Sequence, residues 1–320
     1  MNDFDARIRH ALGDDRVARH APLAPLTTFK VGGAADWLVT LRTGDEVTRA
    51  AMIARECGIP MTLLGGGSNV LVADAGVRGL VIRVHGGDAR LLDGATLRAD
   101  AGVTINGLVR WTISRGVSGI EAWAGTPGTV GGAVYGNAHF QRRLLSELVR
   151  RVTLIDPGGA TQTVEADAME FGYDYSRLHR TREIVISADF RVGHGEPAAL
   201  REVARESLAF RKRTQPLEKA SAGCIFQNPD AMRDRVPDGI PLSAGALVDR
   251  AGLKDAREGA ARVSPRHANF IVNDGGATAA GITRLIERCR QEVRARFGVA
   301  LRDEIVRIGF DEATDGHSQD

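Results

Sequence analysis

The sequence predicts an α+β fold in which strands and helices are largely segregated along the chain. Three observations carry this: a strand-rich stretch over 91–192, a return of helical periodicity after 197, and two glycine clusters set beside short apolar runs. With 320 residues, 43% of them apolar, the chain can bury a large core and is long enough for two or three domains.

In order along the chain, a helix is predicted over about 43–57. It precedes the apolar run Pro60-Met61-Thr62-Leu63-Leu64, which reads as a buried strand, and Val70-Leu71-Val72, which reads as a second. Further strands are predicted at Thr96-Leu97-Arg98-Ala99-Asp100, at a hairpin with arms 152–156 and 161–164 joined through Pro157-Gly158-Gly159, and over 183–188. Helical periodicity over 105–114 interrupts them. Beyond a linker, Gly193-His194-Gly195-Glu196-Pro197, helices are predicted over 198–211, 244–250 and 279–297, the last closed by Gly298 as a C-cap. They surround a strand at Ala268-Asn269-Phe270-Ile271-Val272.

The glycine clusters are Leu64-Gly65-Gly66-Gly67-Ser68-Asn69-Val70-Leu71-Val72 and Ala124-Gly125-Thr126-Pro127-Gly128-Thr129-Val130-Gly131-Gly132-Ala133. Glycines this dense let successive N–H groups turn toward one point, forming a nest suited to the phosphates of a diphosphate ligand. The first cluster joins strand to strand, so it lacks the helix that a Rossmann fingerprint opens, and no Gly-Lys-Ser/Thr completes a P-loop. A single cluster also reads as a tight turn with no ligand; two make that reading weaker.

The 42 basic and 40 acidic side chains leave a formal charge of +2, which gives no electrostatic case for nucleic acid or membrane binding. A small-molecule partner is expected. The first residues lack a basic-then-apolar signal pattern, and no window approaches the roughly eighteen uncharged apolar residues of a membrane span, so a cytoplasmic protein is expected. Cys57, Cys224 and Cys289 show no metal-like spacing and no metal is expected; Cys57 and Cys289 read as small buried side chains on helices.

Six stretches, in order, carry a family resemblance: Thr27-Thr28-Phe29-Lys30-Val31-Gly32-Gly33-Ala34-Ala35-Asp36, 64–74, 119–138, Phe171-Gly172-Tyr173, Ser221-Ala222-Gly223-Cys224-Ile225-Phe226-Gln227-Asn228-Pro229, and Leu301-Arg302-Asp303-Glu304-Ile305. Over nearly its whole length the chain resembles the UDP-N-acetylenolpyruvoylglucosamine reductase family. The short linker between 191 and 221 lacks a tyrosine-bearing substrate loop, which is similar to the family's type II form.

The resemblance implies a two-part FAD-binding fold of the vanillyl-alcohol-oxidase/PCMH type, residues 1–88 and 89–205, and a smaller α+β substrate-binding domain, 206–304, with 305–320 returning to the first part. It implies FAD as cofactor, NADPH as reductant and a UDP-sugar substrate. NADPH gives hydride to the flavin, and the reduced flavin gives hydride to the enolpyruvyl methylene carbon of UDP-N-acetylglucosamine enolpyruvate, yielding UDP-N-acetylmuramate for peptidoglycan synthesis. Negative charge then develops beside the carboxylate. The protein must therefore stabilise an aci-carboxylate and protonate the α-carbon.

By the same resemblance, Gly65, Gly66, Gly67, Ser68, Asn69, Gly125, Thr126, Pro127, Gly128, Thr129, Gly131, Gly132, Asn137 and Ala138 bind the cofactor. Cys224 stands where the family usually has a serine proton donor, and a thiol, a stronger acid than an alcohol, can fill that role. Glu304 matches a second catalytic acid. Gln227, in place of a lysine, and Asn228 fall among the substrate-binding residues, as does Lys254, with Arg250 and Arg262 as further basic candidates.

Two positions depart from the family pattern. Asp174 follows Phe171-Gly172-Tyr173 where an arginine usually grips the carboxylate, so Tyr173 keeps its place and Arg177, three residues on, is the expected replacement. His139 stands where the family continues with glycine, and histidines form covalent flavin bonds elsewhere in the superfamily. Two alternatives stay open: another FAD-dependent oxidase or dehydrogenase of the superfamily, sharing the glycine loops but not the stretches around Cys224 and Glu304, and a nucleotide-binding module without turnover.

Overall fold

A computed structural model of the chain describes residues 3–141 and 143–310; the expected return of 311–320 lies outside the described residues. The chain forms two compact units. One comprises residues 3–19, Trp37–Gly66 and Gly79–Arg211; the other comprises His20–Asp36, Gly67–Arg78 and residues 212–310.

The first unit holds two cores. In one, helix Asp3–Leu12 buries Phe4, Ile8 and Leu12, and helix Gly44–Glu56 buries Val47, Ala50 and Ala54, each a single helical stripe. Both pack with Val39, Leu41, Leu80 and Ile82. A capping box starts helix Gly44–Glu56, with the Thr43 side chain accepting from Glu46 N and Glu46 Oε2 accepting from Thr43 N at 3.2 Å. Strand Met61–Leu64 runs parallel to Val77–Val84, Leu64 opposite Arg83. Met61 and Leu63, two apart and so on one face, are exposed and only Leu64 is buried, contrary to the buried strand expected.

The other core lies on an antiparallel sheet of five strands in the order Thr161–Glu165, Val149–Ile155, Ile184–Arg191, Thr96–Asp100, Ala89–Asp93. Helix Ile105–Ser114, capped by Thr104, contributes Leu108 and Val109, and helix Val130–Tyr135 contributes Val130 and Val134. Helix Pro197–Thr214 adds Leu200 and Ala204.

In the second unit, helices Ala244–Arg250 and Ala279–Phe297 share a core with the three-stranded antiparallel sheet Arg257–Glu258, Ala261–Val263, Ile271–Asn273. The last strand starts at Ile271 and not at Ala268, because Asn269 turns aside: its Nδ2 donates to Phe226 O at 2.7 Å and its Oδ1 accepts from Phe226 N at 2.9 Å. Asp74 accepts from Ala279 N and Ala280 N at 2.8 and 2.9 Å, tying the segment after the first glycine cluster to the start of the long helix. That helix ends at Gly298, as expected. Strand Val306–Ile308 runs parallel to Val70–Val72, Val306 opposite Val70.

Cys289 is buried, but Cys57 is half-buried, because the helix ends there and Arg7 Nη1 reaches its Sγ at 3.4 Å. Among the described residues, no helix is long and apolar enough to cross a membrane.

Candidate active site

The first unit brings the two glycine clusters together. A Cβ on Gly66 would stand 2.5 Å from Gly128 Cα, so there the loops meet main chain to main chain, and one on Gly65 would stand 2.6 Å from the Thr129 side-chain Oγ1. Asn106 shapes the second loop: its Oδ1 accepts from Gly125 N at 2.7 Å and its Nδ2 donates to Thr126 O at 3.0 Å. Arg211 Nη2 donates to Thr126 Oγ1 at 2.7 Å, and its guanidinium carbon lies 3.7 Å from the Phe140 ring centre. Neither residue is singled out by the sequence. Each sits on a helix where periodicity marks only a face, and its polar role emerges from packing.

Four cofactor expectations change, at Gly131, Gly132, Asn137 and Ala138. Gly131 N donates to Ala101 O at 2.8 Å and Gly132 N to Thr129 Oγ1 at 3.5 Å, so these two N–H groups serve the loop's own structure and not a phosphate. Asn137 is fully buried; its Nδ2 donates to Gly172 O at 2.7 Å and its Oδ1 accepts from Ser146 N at 2.9 Å. It braces the site and does not offer its side chain to a ligand. Ala138 N donates to Ala133 O at 2.8 Å.

Arg177 is not the replacement for the family arginine. Its Nε and Nη2 bind Glu183 Oε2 and Oε1 at 2.9 and 2.7 Å, and Nη1 donates to Ala168 O. Burial raises the Glu183 pKa, but hydrogen bonds from Thr181 and Arg177 outweigh it and hold the carboxyl below its usual range. Tyr173 is exposed, its ring 4.8 Å from that of His139, and His139 Nδ1 lies 2.9 Å from Asp174 Oδ1.

The second unit assembles the residues around Cys224. Gly223 takes φ 82°, a left-handed conformation that favours glycine and turns the chain into Cys224. The following residues face 302–304 in antiparallel fashion: Glu304 N donates to Ile225 O at 2.8 Å, Phe226 bridges Asp303, and Gln227 N donates to Arg302 O at 2.9 Å. Cys224 is thus next to the residue opposite Glu304, and both are half-buried. Asp303, 5% exposed, binds Arg290 and Arg307, so this strand end is an ion-pair network and not a solvated face.

The substrate candidates are more scattered. Asn228 Oδ1 accepts from Ala244 N at 3.1 Å, Lys254 pairs with Asp249 at 2.7 Å, and Arg262 pairs with Asp255 and Asp274. Arg250 is exposed. Lys219 also pairs with Asp274, at 3.2 Å.

The FAD binding domain family matches residues 35–165, and the family described as UDP-N-acetylenolpyruvoylglucosamine reductase, C-terminal domain, matches residues 215–308. With the apposed glycine loops, these matches define an FAD-containing oxidoreductase of the PCMH type. The chain is 41% identical over 293 residues to UDP-N-acetylenolpyruvoylglucosamine reductase of Heliobacterium modesticaldum, covering 90% of this chain and 89% of the relative, and 37% identical over 307 residues to reductase 2 of Symbiobacterium thermophilum, covering 95% and 96%. The crystal structure of the reductase from Thermus caldophilus matches with a TM-score of 0.76 at 33% identity, over 92% of this chain and 99% of that one. The chain belongs to the UDP-N-acetylenolpyruvoylglucosamine reductase family.

Proposed function

We propose that this chain carries out NADPH-dependent, FAD-mediated reduction of UDP-N-acetylglucosamine enolpyruvate to UDP-N-acetylmuramate, with Cys224 giving the proton to the α-carbon and Glu304 assisting at the carboxyl end. The observation that supports these roles is the 2.8 Å bond from Glu304 N to Ile225 O, which sets the two segments side by side. A superfamily oxidase has no need of that pairing of stretches.

Main-chain apposition at Gly66 and Gly128 suits a diphosphate, so Gly65, Gly66 and Gly128 are assigned to FAD, with Thr126, Pro127 and Thr129 beside them; Gly125, its N–H held by Asn106, shapes that loop, and Gly67 and Ser68 are assigned to FAD by the resemblance alone. FAD, when bound, supplies the redox chemistry, taking hydride from NADPH and delivering it to the enol ether. The residues of the chain manage charge and protons. A thiol at Cys224 is a proton source that can give its proton to a carbanion. Glu304, protonated or paired with a cation, can sit beside the substrate carboxylate, since two unpaired anions at contact disfavour joint ionisation. Gln227 and Lys254 are assigned to the nucleotide-sugar. Both ligands are small soluble molecules, which supports a cytoplasmic reaction that needs neither nucleic acid nor membrane.

The test is an anaerobic stopped-flow trace of the flavin band, reducing with NADPH and then adding the enolpyruvyl nucleotide. Wild type should be reoxidised rapidly by the nucleotide. Cys224→Ala should slow that step by about 10²–10⁴-fold, while Cys224→Ser should retain most of it. An alanine variant as fast as wild type removes Cys224 from the role, and reoxidation by oxygen alone favours the oxidase reading.

A further inference from the structure

The two departures from the family pattern, 35 residues apart, meet in space: His139 Nδ1 and Asp174 Oδ1 are 2.9 Å apart. The contact is built from both sides. Asp174 takes φ 51° at the tip of a turn closed by a 2.9 Å bond from Gly172 N to Tyr175 O. The same Gly172 carbonyl accepts from Asn137, two residues before His139, so one buried amide anchors both the turn and the strand that bears the imidazole.

The carboxylate at the tip is 10% exposed, and its Oδ2 is buried with no hydrogen-bond partner among the described residues. Burying such a group demands a proton donor or a cation. His139 meets that demand through Nδ1–H, which leaves Nε2 as the one ring nitrogen able to meet a ligand, on a ring that is 25% exposed. The arginines nearby are engaged: Arg177 by Glu183 and Arg180 by Glu170. Exposed Tyr173 lies against the imidazole.

We propose that His139 receives the carboxylate of the substrate in this chain as an imidazolium, donating from Nε2–H to the substrate and from Nδ1–H to Asp174, the positioning residue that fixes the ring. A charge-assisted N–H···O⁻ bond is the interaction an arginine at position 174 would make, delivered from a different backbone site. The inference rests on the reductase reading.

It is tested by titrating the oxidised holoenzyme with UDP-N-acetylglucosamine enolpyruvate, following the flavin spectrum, and with UDP-N-acetylglucosamine, which lacks the carboxylate. His139→Ala and His139→Gln should each weaken the first ligand about 10- to 100-fold and the second less than about twofold, with flavin content unchanged. Asp174→Asn should raise KM about fivefold or more with kcat within about threefold, and Asp174→Glu should recover much of it. A glutamine variant that binds the enolpyruvyl nucleotide as wild type does, or that loses both ligands equally, overturns the proposal. A wild type that neither binds nor reduces the enolpyruvyl nucleotide overturns the reductase reading, and the proposal with it.

Discussion

The side-chain amide of Asn69 holds the main chain of Glu304, donating from Nδ2 to the Glu304 carbonyl at 2.9 Å while Asn69 O accepts from Val306 N at 2.9 Å. One residue of the first glycine cluster therefore holds the main chain on the C-terminal side of the glutamate. Asn69→Ala should slow nucleotide-driven flavin reoxidation about tenfold and cost about 1 kcal/mol of stability. Asn69→Asp should do more harm, because it sets an anion against a carbonyl oxygen. Equal rates for both variants and wild type would show that Glu304 does not depend on this clamp.

Gly66 predicts a sharper result. Its Cβ would stand 2.5 Å from Gly128 Cα, a main-chain atom that cannot swing aside. Gly66→Ala should cost about 1–3 kcal/mol in thermal unfolding and lower the flavin content of the purified protein. Gly94→Ala is the control, since a Cβ there meets nothing within 4 Å. If the two variants retain the same flavin content, the apposition of the loops is not needed to hold the cofactor.

Some of this was legible in the chain and some was not, for identifiable reasons. Helix Ile105–Ser114 follows from its apolar stripe and its Thr104 cap, both local. The exposure of Met61 and Leu63 does not, because an apolar run cannot say whether one face of a strand is left uncovered. Asp174 and His139 stand out as departures, yet their contact needs a turn and a strand held by Asn137. Arg177 fails as a replacement for a similar reason. Nearness along the chain placed it by Asp174, while the fold turned its fork onto Glu183.

The cysteines should separate by reactivity. Burial pushes the Cys289 thiol up to about 12, and the side chain is nearly inaccessible, so almost no thiolate exists there at pH 8. Cys57 and Cys224 are half-buried. Alkylation of the folded protein followed by mass spectrometry should modify those two and spare Cys289 until denaturant is added, with the enolpyruvyl nucleotide protecting Cys224. Modification of Cys289 at the same rate as Cys57 in the folded protein would show that the helix Ala279–Phe297 opens far more readily than its packing suggests.

Glu46 should leave a mark on the acid limb of stability. A hydrogen bond from Arg16 Nη1 at 2.5 Å, opposed by burial and joined by bonds from Arg42 N and Thr43 N, holds its carboxyl down at about 2 against an ordinary value of 4.5. A depressed folded pKa gives stability that is full above the unfolded value and is lost as pH falls through the folded one. The contribution should therefore fade between about 4.5 and about 2. Glu46→Gln removes the charge but nearly keeps the shape, so it should be less stable than wild type at pH 7, by about 2 kcal/mol once solvent screening is allowed for. Other paired carboxylates, such as Asp5 and Asp234, titrate in both proteins and cancel in the difference. Urea unfolding at pH 7, 4 and 2.5 measures it. A gap that narrows toward pH 2.5 assigns the acid sensitivity to this capping box, whereas a gap that stays constant means Glu46 acts through shape and hydrogen bonding and not through charge.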